Sequence, residues 1–107
     1  MISVNEDNFA SVVLGAKVPV LLDVFGHSCS PCNRIAPLIE QLAVELEGRA
    51  VVGKLAVEDQ PRLAGRLGIS AVPTFLFFAN GAETNRLVGI QSRETLLATL
   101  GATNSVG

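Results

Sequence analysis

The sequence predicts a mixed α/β fold, in which one sheet holds parallel and antiparallel strands and carries helices on both faces. Strand patterns alternate with helix patterns in the early part of the chain, which is typical of parallel strands joined by crossovers. In the late part, two strand patterns are joined by a short turn, which indicates an antiparallel pair. The run Val18–Phe25 is almost wholly apolar, as in a strand that is covered on both faces.

The composition favours a single domain over residues 1–107. Hydrophobic residues make up 49% of the chain and charged residues 17%, which indicates a packed core. The net charge is −2 and the Lys and Arg residues are scattered, so we expect no nucleic-acid partner. No apolar run is long enough to span a membrane, and the first ten residues lack a secretory pattern. We therefore expect a cytoplasmic protein with no membrane partner.

Five apolar stretches predict the strands. They are residues 2–4, 18–25, 50–57, 74–79 and 86–89. Asn80-Gly81 is a strong turn signal between the last two strands. Pro73 stands just before the fourth strand, where a missing N–H is tolerated.

Four stretches with helical spacing predict the helices. They lie between Asn5 and Gly15, from Ser30 or Pro31 to about Leu46, between Asp59 and Gly68, and from Ser92 onward. Asn5 and Ser92 are typical N-caps. Pro37 predicts a bend inside the second helix. The small, polar segment Ala102–Gly107 is expected to fray.

Cys29 and Cys32 are the two cysteines of the chain, and they lie where the buried strand passes into the second helix. Free backbone N–H groups and the helix macrodipole favour negative charge there, so a thiol at Cys29 should lose its proton more easily. The thiolate is the attacking species in disulfide exchange. Cys32 follows one turn later on the same face, where it can resolve a mixed disulfide formed at Cys29.

Two other interpretations of the cysteines remain open. They can be small packed hydrophobic residues or an idle local disulfide. They can also bind zinc together with His27, the only histidine. A structural zinc site needs four ligands, and these three residues are crowded into six positions, so we expect no metal ion and no other cofactor.

Asp23 interrupts the apolar strand six residues before Cys29. Burial should raise the pKa of this carboxyl, which would suit a general acid or base beneath Cys32. Lys54, in the next apolar strand, is the expected partner. The alternatives are a solvated strand margin for Asp23 and a surface lysine with a buried stem for Lys54.

Taken in order, these residues resemble the thioredoxin family over nearly the whole chain. The resemblance is carried by Asp23-Val24-Phe25, Cys29-Ser30-Pro31-Cys32, Pro37, Lys54, Val72-Pro73-Thr74, Asn80-Gly81 and Gly89. It implies the thioredoxin fold, a central mixed five-stranded sheet flanked by four helices, with the Asp23 strand in the middle. It also implies that Pro73 is cis rather than an ordinary trans proline, and that it packs beside the cysteines.

The resemblance implies a thiol–disulfide oxidoreductase that reduces client proteins and is re-reduced by an NADPH-dependent flavoprotein reductase. The candidate catalytic residues are Cys29, Cys32, Asp23 and Lys54. The candidate substrate-binding residues are Ser28, Ser30, Pro31, Val72, Pro73 and Gly89. Two other functions remain open: a thioredoxin-fold binding module with incidental thiols, and a disulfide isomerase or oxidase.

Four positions near the cysteines depart from the family pattern or add to it. Ser28 stands where the family usually has Trp, Ser30 where it usually has Gly, and Asn33 where Lys is frequent. His27 brings a titratable group close to Cys29, where a protonated imidazole would favour the thiolate. The alternative is a solvent-facing loop histidine. These differences bear on the client range and on the redox poise of the site.

Overall fold

A computed structural model describes residues 1–104 and shows a five-stranded sheet with helices on both faces. The strands are β1 Ile2–Ser3, β2 Val20–Phe25, β3 Val51–Ala56, β4 Thr74–Ala79 and β5 Ala82–Val88. The helices are α1 Ser30–Glu45, α2 Pro61–Arg66 and α3 Arg93–Asn104, and a five-residue π-helical segment spans Ala10–Leu14.

The strand order is β1-β3-β2-β4-β5, which puts β2 in the middle. β3 is parallel to both β1 and β2, whereas β4 is antiparallel to both β2 and β5. Asn80 and Gly81 form the β4–β5 turn, with φ of 54° and 81°. The predicted mixed sheet, its central strand and its hairpin are therefore confirmed.

Alternate residues of β2 serve different layers of the protein, because successive strand side chains point to opposite faces. Val20, Leu22 and Val24 pack in a cluster with residues of α2 and the π-helical segment. Leu21 packs in a second cluster with residues of α1 and α3. Asp23 lies two residues after Leu21 in the strand, so its side chain points to the same face as that of Leu21. This face carries α1, the helix that begins at the cysteines.

The first helix confirms one prediction, and the last helix corrects another. The first helix is π-helical over Ala10–Leu14, and helical bonding begins ahead of it at Asn5, whose carbonyl accepts the Phe9 N–H at 3.0 Å. Asn5 caps this helix as predicted, through a reciprocal pair of bonds with Asn8. Each of their backbone N–H groups donates to the other's side-chain oxygen, at 2.8 and 2.9 Å. The helix α3 continues to Asn104, so fraying from Ala102 is wrong for residues 102–104, where Thr103 is fully buried. Residues 105–107 lie outside the described part of the chain.

The last strand is longer than predicted. β5 begins at Ala82 instead of Arg86, and most of its side chains are exposed. Backbone pairing with β4 holds it in the sheet through a polar stretch that carries no apolar pattern. The bend predicted at Pro37 stays a prediction, inside an α1 that continues past it.

Candidate active site

Cys29 and Cys32 form a disulfide at the N-terminus of α1. Cys29 is the N-cap residue, and its Sγ accepts a hydrogen bond from the Cys32 N–H at 3.1 Å. Cys32 is only 4% exposed, whereas Cys29 is partly buried. The outer sulfur therefore lies where backbone N–H groups and the macrodipole favour negative charge, and the inner sulfur is shielded one turn later.

Asp23 is buried, with 5% of its surface exposed. Within residues 1–104, its Oδ1 has no hydrogen-bond partner. Desolvation raises the pKa of Asp23 from 3.8 to about 6, and the positive charge of Lys54 opposes this rise. The expected burial and raised pKa are confirmed, and a solvated strand margin is wrong.

Lys54 is the direct neighbour of Asp23 in the parallel β2–β3 register. Both residues line a cavity of about 120 Å³, together with Cys32, Phe25 and Glu40 among others. A water molecule occupies roughly 30 Å³ of liquid, so this cavity is large enough to hold water. Such water would provide a path for a proton between Asp23 and Cys32. The structure thus brings the predicted pair together behind Cys32.

The peptide bond between Val72 and Pro73 is cis, as the resemblance implies, and a trans proline is wrong. Pro73 is buried, and its carbonyl accepts the N–H of Gly89 at 2.8 Å. The side chain of Val72 lies close to Gly26, in the loop that leads to Cys29. The position that a Cβ would take on Gly26 is 3.5 Å from Val72 Cγ2 and 3.6 Å from the Cβ of Cys29. Val72 therefore lies near the cysteine turn, and Pro73 and Gly89 are linked to it through the chain and one backbone hydrogen bond.

The surface around the outer sulfur is polar on one side and apolar on the other. Ser28 and Ser30 are exposed next to Cys29, and Pro31 is partly buried in the first turn of α1. No prediction included Val88 and Ile90, which are 57% and 50% exposed and flank Gly89. Two apolar residues around a glycine, in an otherwise polar segment, are the signal that could have identified them.

His27 is exposed, but its side chain is held. Its Nε2 lies 3.1 Å from Oδ2 of Asp59, and its ring stands edge to face against Phe25 with centroids 5.7 Å apart. Its backbone N–H lies 3.2 Å from each carboxylate oxygen of Glu58. The two acidic residues come from the segment after β3 and were not predicted. No local pattern could identify them, because 31 and 32 residues separate them from His27.

Neither a metal cluster nor a membrane helix is found in the part of the chain that the structure describes. No group of three or more His, Cys, Asp and Glu side chains there is arranged to hold a metal ion. In the same range, no helix combines the length and the apolar character that a membrane crossing requires.

Comparison with known proteins agrees with this geometry. A family model described as Thioredoxin matches residues 1–102. Thioredoxin of Rickettsia felis is 32% identical over 95 residues, which are 89% of this chain and 90% of that protein. Thioredoxin 1 of a Nostoc species is 34% identical over 97 residues, 91% of each chain.

A plant relative is longer than this chain. Chloroplastic thioredoxin M-type of Pisum sativum is 38% identical over 93 residues, which cover 87% of this chain but 54% of that protein. The chain thus spans about half of the plant protein and about nine tenths of the bacterial ones. The family match covers the disulfide, the buried Asp23 and the cis bond before Pro73. The chain belongs to the thioredoxin family.

Proposed function

We propose that this protein reduces disulfides in client proteins by cycling Cys29 and Cys32 between dithiol and disulfide. One observation carries the proposal: the two sulfurs differ sharply although they lie one helical turn apart. Cys29 is the accessible N-cap, and its sulfur accepts a backbone N–H. Cys32 is buried and shares a cavity with Asp23. This difference suits an attacking thiol and a resolving thiol.

The first step takes place at the outer sulfur. The Cys29 thiolate attacks one sulfur of the client disulfide, so that a bond between Cys29 and the client forms while the client disulfide breaks. The other client sulfur leaves as a thiolate and takes a proton from solvent. The Cys32 N–H, 3.1 Å from the Cys29 Sγ, and the α1 macrodipole support this role because both stabilise negative charge at that sulfur.

The second step takes place at the inner sulfur. The Cys32 thiol gives its proton to the Asp23 carboxylate, through water in their shared cavity, and its thiolate attacks Cys29. The Cys29–Cys32 disulfide forms, the mixed disulfide breaks, and the second client sulfur leaves and is protonated. The client thus gains two electrons and two protons. The pKa of Asp23, about 6, supports its role as the base, and Lys54 adjusts that value.

We assign docking of the client backbone to the surface beside the disulfide. Its residues are Ser28, Ser30, Pro31, Val72, Pro73 and Gly89. The exposed Val88 and Ile90 extend it with apolar area. Electrons for the next cycle come from an NADPH-dependent flavoprotein reductase. A reductant needs such a supply and a reducing compartment, so we place the protein in the cytoplasm.

Reduction of insulin with dithiothreitol as the electron source tests the proposal. We expect Cys29→Ser to lose catalysis, and Cys32→Ser to accumulate a mixed disulfide that a non-reducing gel and mass spectrometry detect. Full activity of Cys29→Ser would contradict the proposal, and iodoacetamide reacting with Cys29 no faster than with an ordinary thiol would favour a binding module. A reduction potential below about −230 mV is expected for a reductant, whereas one near −180 mV would indicate an isomerase.

A further inference from the structure

The carboxylate of Glu58 lies beside the loop that carries the nucleophile. Both of its oxygens are 3.2 Å from the backbone nitrogen of His27, whose N–H points at them. The position that a Cβ would take on the buried Gly26 is 3.3 Å from Glu58 Oε2 and 3.6 Å from the Cβ of Cys29. The carboxylate and the nucleophilic residue therefore approach the same point of the loop.

Glu58 is held on a firm support. It is the second residue after β3, and the N–H of the intervening Val57 donates to the carbonyl of Phe25, the last residue of β2, at 2.9 Å. The N–H of Asp59 donates to the Ala56 carbonyl at 3.1 Å. The first bond joins the ends of two adjacent strands and the second closes a turn after β3, so the backbone of Glu58 has a defined place relative to the cysteine loop.

The chain has no aromatic side chain next to Cys29 that could cover this loop. Ser28 is exposed there, and the loop is tied by acidic groups instead: Glu58 at the His27 backbone and Asp59 at the His27 ring. A tie through a carboxylate also brings a negative charge close to the sulfur. That charge acts against the helix N-terminus, which favours the Cys29 thiolate.

We propose that Glu58 is a positioning residue for Cys29, whose carboxylate fixes the loop before the nucleophile and destabilises its thiolate, so that the cysteine pair stays reducing. This proposal rests on the proposed function. The disulfide is neutral, whereas the reduced state carries the thiolate, so a nearby negative charge raises the free energy of the reduced state alone. The equilibrium then favours the disulfide form and the transfer of electrons to a client.

Other charges act on the same cysteine pair. Besides Glu58, the titratable side chains on β2, the cysteine loop, α1, β3 and the segment after β3 are Asp23, His27, Arg34, Glu40, Glu45, Lys54 and Asp59. The segments 70–74 and 89–92 contain none. Asp23 and Lys54 lie behind Cys32, and the Asp59 carboxylate faces the His27 ring. Glu58 is the carboxylate that binds the backbone of the loop itself.

Glu58→Gln separates charge from hydrogen bonding, because glutamine keeps an oxygen acceptor for the His27 N–H. In a Cys32→Ser background only Cys29 can be alkylated, so the iodoacetamide rate against pH reports its thiolate. We expect alkylation about 3- to 10-fold faster at pH values below the thiol pKa, from Coulomb's law for a partly screened charge at this range. With Cys32 restored, the equilibrium with glutathione should shift toward the reduced protein.

Glu47→Gln is the matched control. Glu47 lies beyond the C-terminal end of α1, a helix of 16 residues whose other end carries Cys29, so it is ~24 Å away. In the Cys32→Ser background, Glu47→Gln should leave the alkylation rate of Cys29 unchanged. Glu58→Ala should share the faster alkylation of Glu58→Gln but reduce insulin more slowly, because the acceptor is also lost.

The outcomes separate the two proposals. If Glu58→Gln does not change the alkylation rate of Cys29 in the Cys32→Ser background, the charge effect is overturned. If Glu58→Gln and Glu58→Ala reduce insulin at equal rates, the positioning role is overturned. Both results leave an active parent protein and its proposed function intact. A parent protein that fails to reduce insulin would instead overturn the proposed function.

Discussion

The two sulfurs of one disulfide face opposite environments. Behind Cys32 lies the region that we call closed because its central residue, Asp23, is buried; Asp23 and its neighbour Lys54 share a small, partly open cavity there. In front of Cys29 lies an open region, where Ser28 is exposed and the His27 ring pairs with an exposed carboxylate. Each region contains ionisable groups, but the carboxylate of Asp23 is buried, whereas those of Glu58 and Asp59 belong to exposed residues.

This difference decides what a charge does in each place. In the closed region, desolvation dominates, and the pKa of Asp23 rises to about 6 despite a positive neighbour. In the open region, water and salt screen charges, so an exposed contact such as that between the His27 ring and the Asp59 carboxylate contributes little to stability. Substitutions behind Cys32 should therefore change stability and its pH dependence, whereas those in front should change reactivity and docking.

The largest stability effect is expected for Asp23→Asn. The folded pKa of about 6 lies above the ordinary 3.8, so the folded protein binds the proton more tightly than the unfolded chain does. Stability is therefore lost as pH rises from about 4 to about 6, and the loss is complete at pH 7.5. Asparagine does not ionise, so Asp23→Asn should raise the free energy of unfolding by about 3 kcal/mol at pH 7.5 and hardly at all at pH 3.5.

Urea unfolding followed by circular dichroism measures this effect, since the chain has no Trp or Tyr to report by fluorescence. Asp59→Asn is the matched control from the open region, where the side chain is 62% exposed. Its stability should change by less than about 0.5 kcal/mol at either pH. A gain for Asp23→Asn that is equal at both pH values would contradict the role of ionisation.

A smaller effect is expected for Lys54→Met, which keeps an apolar stem but removes the charge. The positive charge of Lys54 lowers the pKa of Asp23, so its loss should raise that pKa further above its ordinary value. Carbon-13 NMR of the Asp23 carboxyl group across pH measures the titration. Lys17→Met, at the other lysine of the chain, is the control and should leave it unchanged. If Lys54→Met leaves the Asp23 titration unchanged, the charge of Lys54 does not act on the Asp23 carboxyl.

The closed region could be predicted from the sequence because its signals are local. An aspartate in an apolar strand is either buried or at a strand margin, and the parity of Asp23 with Leu21 selects the α1 face. The apolar spacing after the cysteines and Pro31 in the first turn identify the start of α1 near Ser30. The strand β4 spans Thr74–Ala79, as the apolar run predicts.

The open region could be predicted only in part, because its contacts join distant segments. Glu58 and Asp59 reach His27 across more than thirty residues, and acidic residues before a helix are ordinary in sequence. The strand β5 was placed too short because its side chains carry no apolar alternation, and only pairing with β4 reveals it.

The smallest effect is expected for Gly89→Ala in the open region. Gly89 has φ of +90°, which side-chain-bearing residues rarely adopt, and apart from Gly89 and its two chain neighbours no residue of 1–104 has an atom within 4 Å of the new methyl group. Backbone strain is thus the whole cost, about 1 kcal/mol in the free energy of unfolding. Because no ionisable group is involved, the loss should be the same at pH 3.5 and 7.5, unlike the effect at Asp23.

Gly101→Ala is the matched control, since Gly101 lies inside α3 and its new methyl group also meets no atom of residues 1–104 within 4 Å beyond its chain neighbours and the nearby backbone of its own helix. Alanine is the better helix former, so this variant should gain about 0.5–1 kcal/mol. Gly89→Ala should also raise the KM for insulin, because the Gly89 N–H holds the Pro73 carbonyl at 2.8 Å beside the docking surface. An unchanged KM with the expected loss of stability would mean that Gly89 shapes the fold of the open region but not its contact with clients.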